Sequence, residues 1–168
     1  MKQNIYISIV IAFAAISLLG CGSSNRFESN KPISSEVSCI EGDNAGGQTF
    51  KLLAWGIGSN NEEAETDALK AAIYAVMIGG VGGGRCSVSP ILDATEKTNN
   101  NETIEKFFLF ENQWKQYVRD VNNGRISPDK RIKMSDGNIK VGLEVIVDAR
   151  RLNDDLIEKG ITKNKLRW

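Results

Sequence analysis

The strongest constraint on the fold is an alternation of apolar and polar residues over positions 139–148. Every second position in this segment is apolar: Ile139, Val141, Leu143, Val145 and Val147. Side chains of a β-strand point alternately to the two faces of a sheet, so one face of this strand is apolar and must be covered. Asp136-Gly137 is a strong hairpin signal, and the residues before it, 131–134, also alternate. We therefore predict a hairpin that is covered on one face.

A strand and an alanine-rich helix are predicted upstream of this hairpin. Positions 49–57 are rich in strand-forming residues. Ser59 and Glu62 have the spacing of a capping box, and Gly79-Gly80 ends the helical pattern. Between them, alanines recur at spacings of four, three and four residues, and such a ridge permits close approach to a sheet. The ridge consists of Ala64, Ala68, Ala71 and Ala75.

The rest of the chain predicts a long loop and two further helices. The loop covers 79–101, and the next helix is capped by Asn101 or Thr103. This helix carries an aromatic stripe, which forms core or, alternatively, a partner-binding face: Phe107, Phe110, Trp114 and Tyr117 or Val118. A short last helix ends at Gly160. The predicted order is β-α-α-β-β-β-α, an α+β fold in which helices cover one face of a small, mostly antiparallel sheet.

The first twenty residues have the features of an export signal. Lys2 precedes an apolar run of about 15 residues, too short to span a bilayer permanently. Leu18-Leu19-Gly20-Cys21 resembles the lipobox of bacterial lipoproteins, in which an aliphatic residue stands three places before a lipid-modified cysteine. The alternatives are an uncleaved anchor, an ordinary secretory signal and a core helix. We predict a signal peptide over 1–20, lipid attachment at Cys21, a flexible tether over 21–47 and one domain over 48–168.

Composition restricts the classes of function. The chain has 21 basic and 21 acidic residues and no histidine. Balanced charge gives no electrostatic footprint for nucleic acid, and the absence of histidine removes the usual catalytic triads and His-ligated zinc sites. We therefore expect no catalytic residues, no cofactor and no metal. Gly56-Ile57-Gly58 is placed like a dinucleotide-binding loop, but the third glycine position holds Asn61 and glutamates follow.

Two cysteines remain after Cys21. In an exported protein, Cys39 and Cys86 are expected to form a disulfide, and two buried free thiols are the alternative. A bridge would close a loop of about 47 residues and stabilise the fold by roughly 3–4 kcal/mol.

Two segments resemble known envelope proteins. Trp55-Gly56-Ile57-Gly58-Ser59, with the alanine helix that follows, is similar to the start of a twenty-kilodalton family of envelope lipoproteins. It is also similar to the N-terminal domain of a flagellar assembly protein of the same fold. The stretch around Lys140-Val141-Gly142 and the last helix are similar to the end of Bacteroides-type lipoproteins. The resemblance spans roughly 48–162 and implies a non-enzymatic class.

These observations favour a non-enzymatic, lipid-anchored envelope protein that acts as an interaction or assembly module. The expected location is the periplasmic side of the outer membrane, with palmitate on Cys21 and an unidentified envelope protein as partner. The alternative is a periplasmic lipoprotein that binds a small ligand in a pocket bounded by 79–103 and the helix over 107–114. A hydrolase is a third and weaker hypothesis, because histidine is absent.

Overall fold

The computed structural model describes residues 32, 34–42, 49–82, 85–109 and 111–163. Five strands form one antiparallel sheet: β1 (Val37–Gly42), β2 (Thr49–Gly58), β3 (Val118–Asp120), β4 (Arg131–Lys133) and β5 (Ile139–Asp148). The sheet order is β1-β2-β5-β3, and β4 also pairs with β5. β2 and β5 pair over their full ten residues and form the centre of the sheet.

Within the described part of the chain, four helices accompany the sheet: α1 (Asn61–Tyr74), α2 (Ala94–Asn99), α3 (Asn101–Leu109) and α4 (Ala149–Glu158). α1 packs on β2 and β5, continues as a π-helical turn over Ala75–Gly79 and stops at Gly80, whose φ is 71°. The predicted α+β fold with helices against an antiparallel sheet is confirmed. The predicted apolar parity of β5 is buried from Val141 to Val147, and Ile139 is half-buried.

The domain begins earlier than predicted. β1 lies inside 21–47, which the sequence analysis assigned to the tether, and it pairs with β2 from Val37 to Gly42. Ser34 is already buried, and its amide donates to Asp67 on α1. The prediction was wrong here because a strand of six residues between polar and turn-forming segments acquires its partners only from β2, far along the chain. The observed order of elements therefore begins with one strand more than the predicted order.

Three features of the helices also differ from the prediction. Asn60, not Ser59, caps α1 by accepting from the Glu63 amide. The predicted long loop over 79–101 contains α2, which begins with a capping box between Asp93 and Glu96. The aromatic stripe is divided, because α3 ends at Leu109 and Asn112 adopts the left-handed conformation before a 3-10 turn over Gln113–Tyr117. Phe110 lies outside the described residues.

Contact between the alanine ridge and β2 sets the distance between helix and sheet. A β-carbon added at Gly56 would lie 2.1 Å from the Ala64 carbonyl oxygen and 2.2 Å from the Ala68 amide nitrogen. One added at Gly58 would lie 2.5 Å from the Ala64 nitrogen. Only glycine fits such a close approach of two backbones. The two glycines and the alanine ridge therefore form one packing unit.

The end of α4 is built as a Schellman motif. The Ile161 amide donates to the Leu156 carbonyl, and the Gly160 amide donates to the Ile157 carbonyl. Gly160 has a φ of 70°, and Ile161 is buried, as the glycine at this position predicted. Within the described ranges, no helix has the length and hydropathy needed to cross a membrane.

Candidate functional site

The predicted lipid-attachment residue, Cys21, lies outside the described residues, as do positions 1–20. The other two cysteines lie together: Cys39 on β1 and Cys86 form a disulfide with a Cα–Cα distance of 5.3 Å. The Arg85 amide donates to the Cys39 carbonyl at 3.0 Å, so the segment that carries Cys86 runs along the outer edge of β1. The disulfide therefore holds this segment against the edge of the sheet.

The segments predicted to bound a ligand pocket are packed into the core. From the loop, Ile91 and Leu92 are buried, and their amides donate to the Val76 and Met77 carbonyls. From the aromatic stripe, Phe107 and Trp114 are buried as well. The Phe107 and Tyr117 rings stack with their centroids 5.9 Å apart. These aromatic residues belong to the core, which is the first of the two alternatives.

An open cleft of about 660 Å³ lies elsewhere, where β2 passes into α1. Ser59, Asn60, Thr66 and Lys70 contribute polar side chains to it, together with two glutamates and Asn138 from the β4–β5 hairpin. Hydrogen bonds from the hydroxyl and the backbone amide of Ser59 hold the pKa of Glu63 below its usual value. The charged side chains of the cleft are therefore mainly acidic, with Lys70 as the one cation among the described lining residues.

Asp67 joins the floor of this cleft to the N-terminal segment. Its Oδ2 accepts from the Ser34 amide at 3.1 Å and from the Ile57 amide at 2.9 Å. Asp67 is buried, and backbone amides satisfy a buried carboxylate well. The bond fixes the point at which the chain between Cys21 and Ser34 reaches the domain, beside the ends of β2 and the β4–β5 hairpin.

The face of the sheet away from the alanine ridge is a second candidate site, which we name the open face. The pairing register shows which residues lie on this face: Trp55 is opposite Gly142, and Ile57 is opposite Lys140. The apolar members on β2 and β5 are half-buried and do not belong to the core cluster. Ile132 on β4 is 46% exposed. The open face comprises Lys51, Leu53, Trp55, Ile57, Ile132, Lys140, Glu144 and Ile146.

Trp55 makes the centre of the open face flat. A β-carbon on Gly142 would lie 3.1–3.2 Å from three atoms of the indole, so the ring covers the glycine directly. The Lys140 ammonium lies 5.2 Å from the centroid of the same ring, and it bonds Glu36 at 2.7 Å. The indole is thus held between the backbone of β5 and a paired lysine.

The charged side chains of the open face form ion pairs within the chain. Glu144 bonds Lys51 at 3.1 Å and Lys130 at 2.7 Å. These hydrogen bonds, first from Lys130 and then from Lys51, lower the pKa of Glu144. The side chains of all three are less than one-third exposed, so the ion pairs hold a fixed geometry. The face therefore presents an apolar centre with both signs of charge around it.

The edges of the sheet are less suited to pairing with another chain. β1 carries a register irregularity between Cys39 and Glu41, and the disulfide-bound segment runs beside it. At the opposite edge, β3 and β4 have three residues each. Short strands, bulges and covering loops are the usual means by which proteins prevent edge-to-edge association. The open face, rather than the edges, is therefore available for contacts.

The open face was not predicted from the sequence. Its signal is present in β2, where Leu52 and Leu53 are adjacent and Trp55 and Ile57 continue the second parity. Apolar residues on both parities indicate a strand that is apolar on both faces. The alternation of β5 concealed this, because its second parity contributes Lys140, Gly142 and Glu144.

Comparison with known proteins gives no relative: no family model, no curated protein and no solved structure matches the chain.

Proposed function

We propose that the protein is a non-enzymatic, lipid-anchored component of the bacterial envelope that acts as an interaction module through its open face. Its lipid is attached at Cys21, and the tether ends at Ser34, where the folded domain begins. The domain lies in the periplasm, at the outer membrane, and its partner is another envelope protein.

The single observation that carries the proposal is the character of the open face. Leu53, Trp55 and Ile146 are half-buried in the isolated chain, and Ile132 projects from the neighbouring hairpin. Interfaces favour such an arrangement, in which an aromatic anchor stands at the centre and paired charges form a rim. An antiparallel sheet with one solvated face ordinarily carries polar residues there.

Three further observations support the proposal. A disulfide between Cys39 and Cys86 suits an oxidising compartment such as the periplasm. Among the described residues, no group of three or more His, Cys, Asp or Glu side chains is placed to hold a metal ion. The chain also lacks histidine, the commonest general base near neutral pH. A binding function needs none of these catalytic groups.

The proposal is tested by site-specific cross-linking in the native envelope. A photo-reactive amino acid replaces Ile132 on the open face in one variant and Asn99 on α2 in a control variant. Both positions are exposed, so neither replacement disturbs the core. We expect discrete cross-linked species from position 132 and none from position 99. Equal yields at the two positions, or none at 132, would overturn the proposal.

The cleft beside Asp67 favours a second candidate function, the binding of a small polar ligand. Its volume of about 660 Å³ lies within the range of ligand pockets, but it is open to solvent. Thr66→Trp would fill the cleft from α1, and Ile57 is the one open-face residue among the described residues that line the cleft. If this variant lost a ligand that the wild-type protein retains during native purification, the second function would replace the first.

A further inference from the structure

We infer that the open face binds the open face of a second copy of this chain, so that two lipid-anchored molecules pair side by side at the membrane. The inference rests on the proposed function, because it assigns the partner of the same surface. Four observations carry it: the position of the tether, the mixture of charges, the flat centre and the area.

The tether brings the open faces of two neighbouring copies within reach. Thirteen residues separate Cys21 from Ser34, and an extended chain of that length spans at most about 45 Å. The Ser34 amide donates to Asp67, beside the ends of β2 and the β4–β5 hairpin. Two copies anchored in the same membrane are confined to the layer that the tether can span, so they meet more often than two copies free in solution.

The charges suit a partner with the same mixture. Lys51, Lys130 and Lys140 are paired on each copy with Glu144 or Glu36. A strongly basic or acidic partner would meet like charges on this rim as often as opposite ones, which disfavours it. A second copy carries the same mixture of paired charges, so neither copy presents a face of one sign to the other.

The shape and size of the face fit sheet-on-sheet packing. The Trp55 ring covers Gly142, which leaves a flat centre that can lie against another sheet about 10 Å away. β2 and β5 have ten residues each, about 33 Å in length, and four strand widths add about 19 Å. The resulting area of at most about 600 Å² is below the roughly 800 Å² per partner of a standard stable interface. Pairing should therefore be weak in solution and effective at a membrane.

Sedimentation velocity of residues 21–168 with Cys21→Ser tests the inference, because this chain retains every described contact. We expect the mean mass to rise from that of a monomer toward that of a dimer between micromolar and millimolar concentration. Ile132→Lys, at an exposed position, should weaken the association at least about threefold, and Leu53→Lys at least about tenfold. Asn99→Lys introduces the same side chain on α2 and should leave it unchanged.

The outcomes separate this inference from the proposed function. A monomer at all concentrations, or equal weakening by Asn99→Lys and Ile132→Lys, would overturn the self-association. If the cross-linked species from position 132 in the envelope then had the mass of this chain joined to a different protein, the proposed function would stand with another partner. Failure of both experiments would remove the open face as a binding site. Circular dichroism tests whether Leu53→Lys is folded. If it is not, Ile132→Lys at its exposed position decides the outcome.

Discussion

Gly56 is the residue at which the fold tolerates the least change. Its missing side chain allows the α1 backbone to contact β2, and a methyl group there would overlap the Ala64 carbonyl and the Ala68 amide. Because both obstacles are backbone atoms, they can move only if the helix moves away from the sheet.

We predict that Gly56→Ala lowers the free energy of unfolding by at least about 3 kcal/mol. The control is Gly82→Ala, because a β-carbon at Gly82 meets no atom within 4 Å and should change stability by less than about 0.5 kcal/mol. Urea unfolding of the soluble chain measures both changes. Similar midpoints for the two variants would contradict the close packing of α1 on β2.

A substitution at Glu65 is expected to raise, not lower, the free energy of unfolding. Desolvation raises the pKa of Glu65, and the charges of Asp120 and Glu62 raise it further. A carboxyl whose pKa is higher in the folded state stabilises the fold below its unfolded pKa of about 4.3, and this stabilisation is lost as the pH rises through the folded value. Glu65→Gln removes the charge.

We expect Glu65→Gln to be modestly more stable than the wild-type protein at neutral pH, because the neutral amide avoids the desolvated, crowded charge. The difference should shrink as the pH falls below the folded pKa, where the wild-type carboxyl is protonated as well. Thermal denaturation at neutral and mildly acidic pH measures it. A gain that is equal at both pH values would show that its origin is not electrostatic.

At the scale of elements, the disulfide and the segment around it form the least self-sufficient part of the fold. An isolated bridge between Val81 and Val88 and the Arg85–Cys39 bond complete the backbone pairing of this segment in the described ranges. Cys39 is buried under it, with 2% of its surface exposed. The cross-link spans 47 residues and so restricts the unfolded chain strongly.

Replacing both cysteines, Cys39→Ala with Cys86→Ser, should therefore lower the free energy of unfolding by roughly 2–4 kcal/mol. Hydrogen exchange should accelerate first at the Arg85 amide and in β1, while the centre of β2 and β5 remains protected. The oxidised and reduced wild-type proteins provide the matched comparison without substitution. Uniform acceleration across the sheet would mean that the disulfide is needed by the whole domain and not by its edge.

The elements that were predictable from sequence have local causes. The Asp136-Gly137 turn, the alternation of β5 and the glycine after α4 depend on residues close in sequence, and the structure has them as predicted. β1 depends on pairing with β2, and the division of the aromatic stripe depends on the left-handed Asn112. The open face was missed because it becomes a surface only when β2 and β5 are placed side by side.

At the scale of the whole molecule, the fold separates its two sides by chemistry. One side of the sheet is closed by the alanine ridge at backbone contact, and the other ends in half-buried apolar and paired charged side chains. The side closed by the alanine ridge leaves no room for a bound partner. The side chains of the open face do not belong to the core cluster. Ser34 of the N-terminal segment joins the domain at Asp67, and Glu36 of the same segment pairs with Lys140 at the rim of the open face.

Attachment to the membrane can therefore be separated from folding, and this gives the last prediction. Cys21 precedes Ser34, the first residue with a described bond to the domain, so Cys21→Ser should leave the thermal unfolding of residues 21–168 unchanged. In cells, the full-length variant should not incorporate labelled palmitate and should accumulate as the precursor, because the cysteine sulfur is the acceptor of the lipid. The control is Ser23→Ala, two residues further along the tether, which should be labelled and processed like the wild-type protein. Labelling of Cys21→Ser would refute lipid attachment at this residue, and with it the side-by-side pairing at the membrane that depends on a short tether.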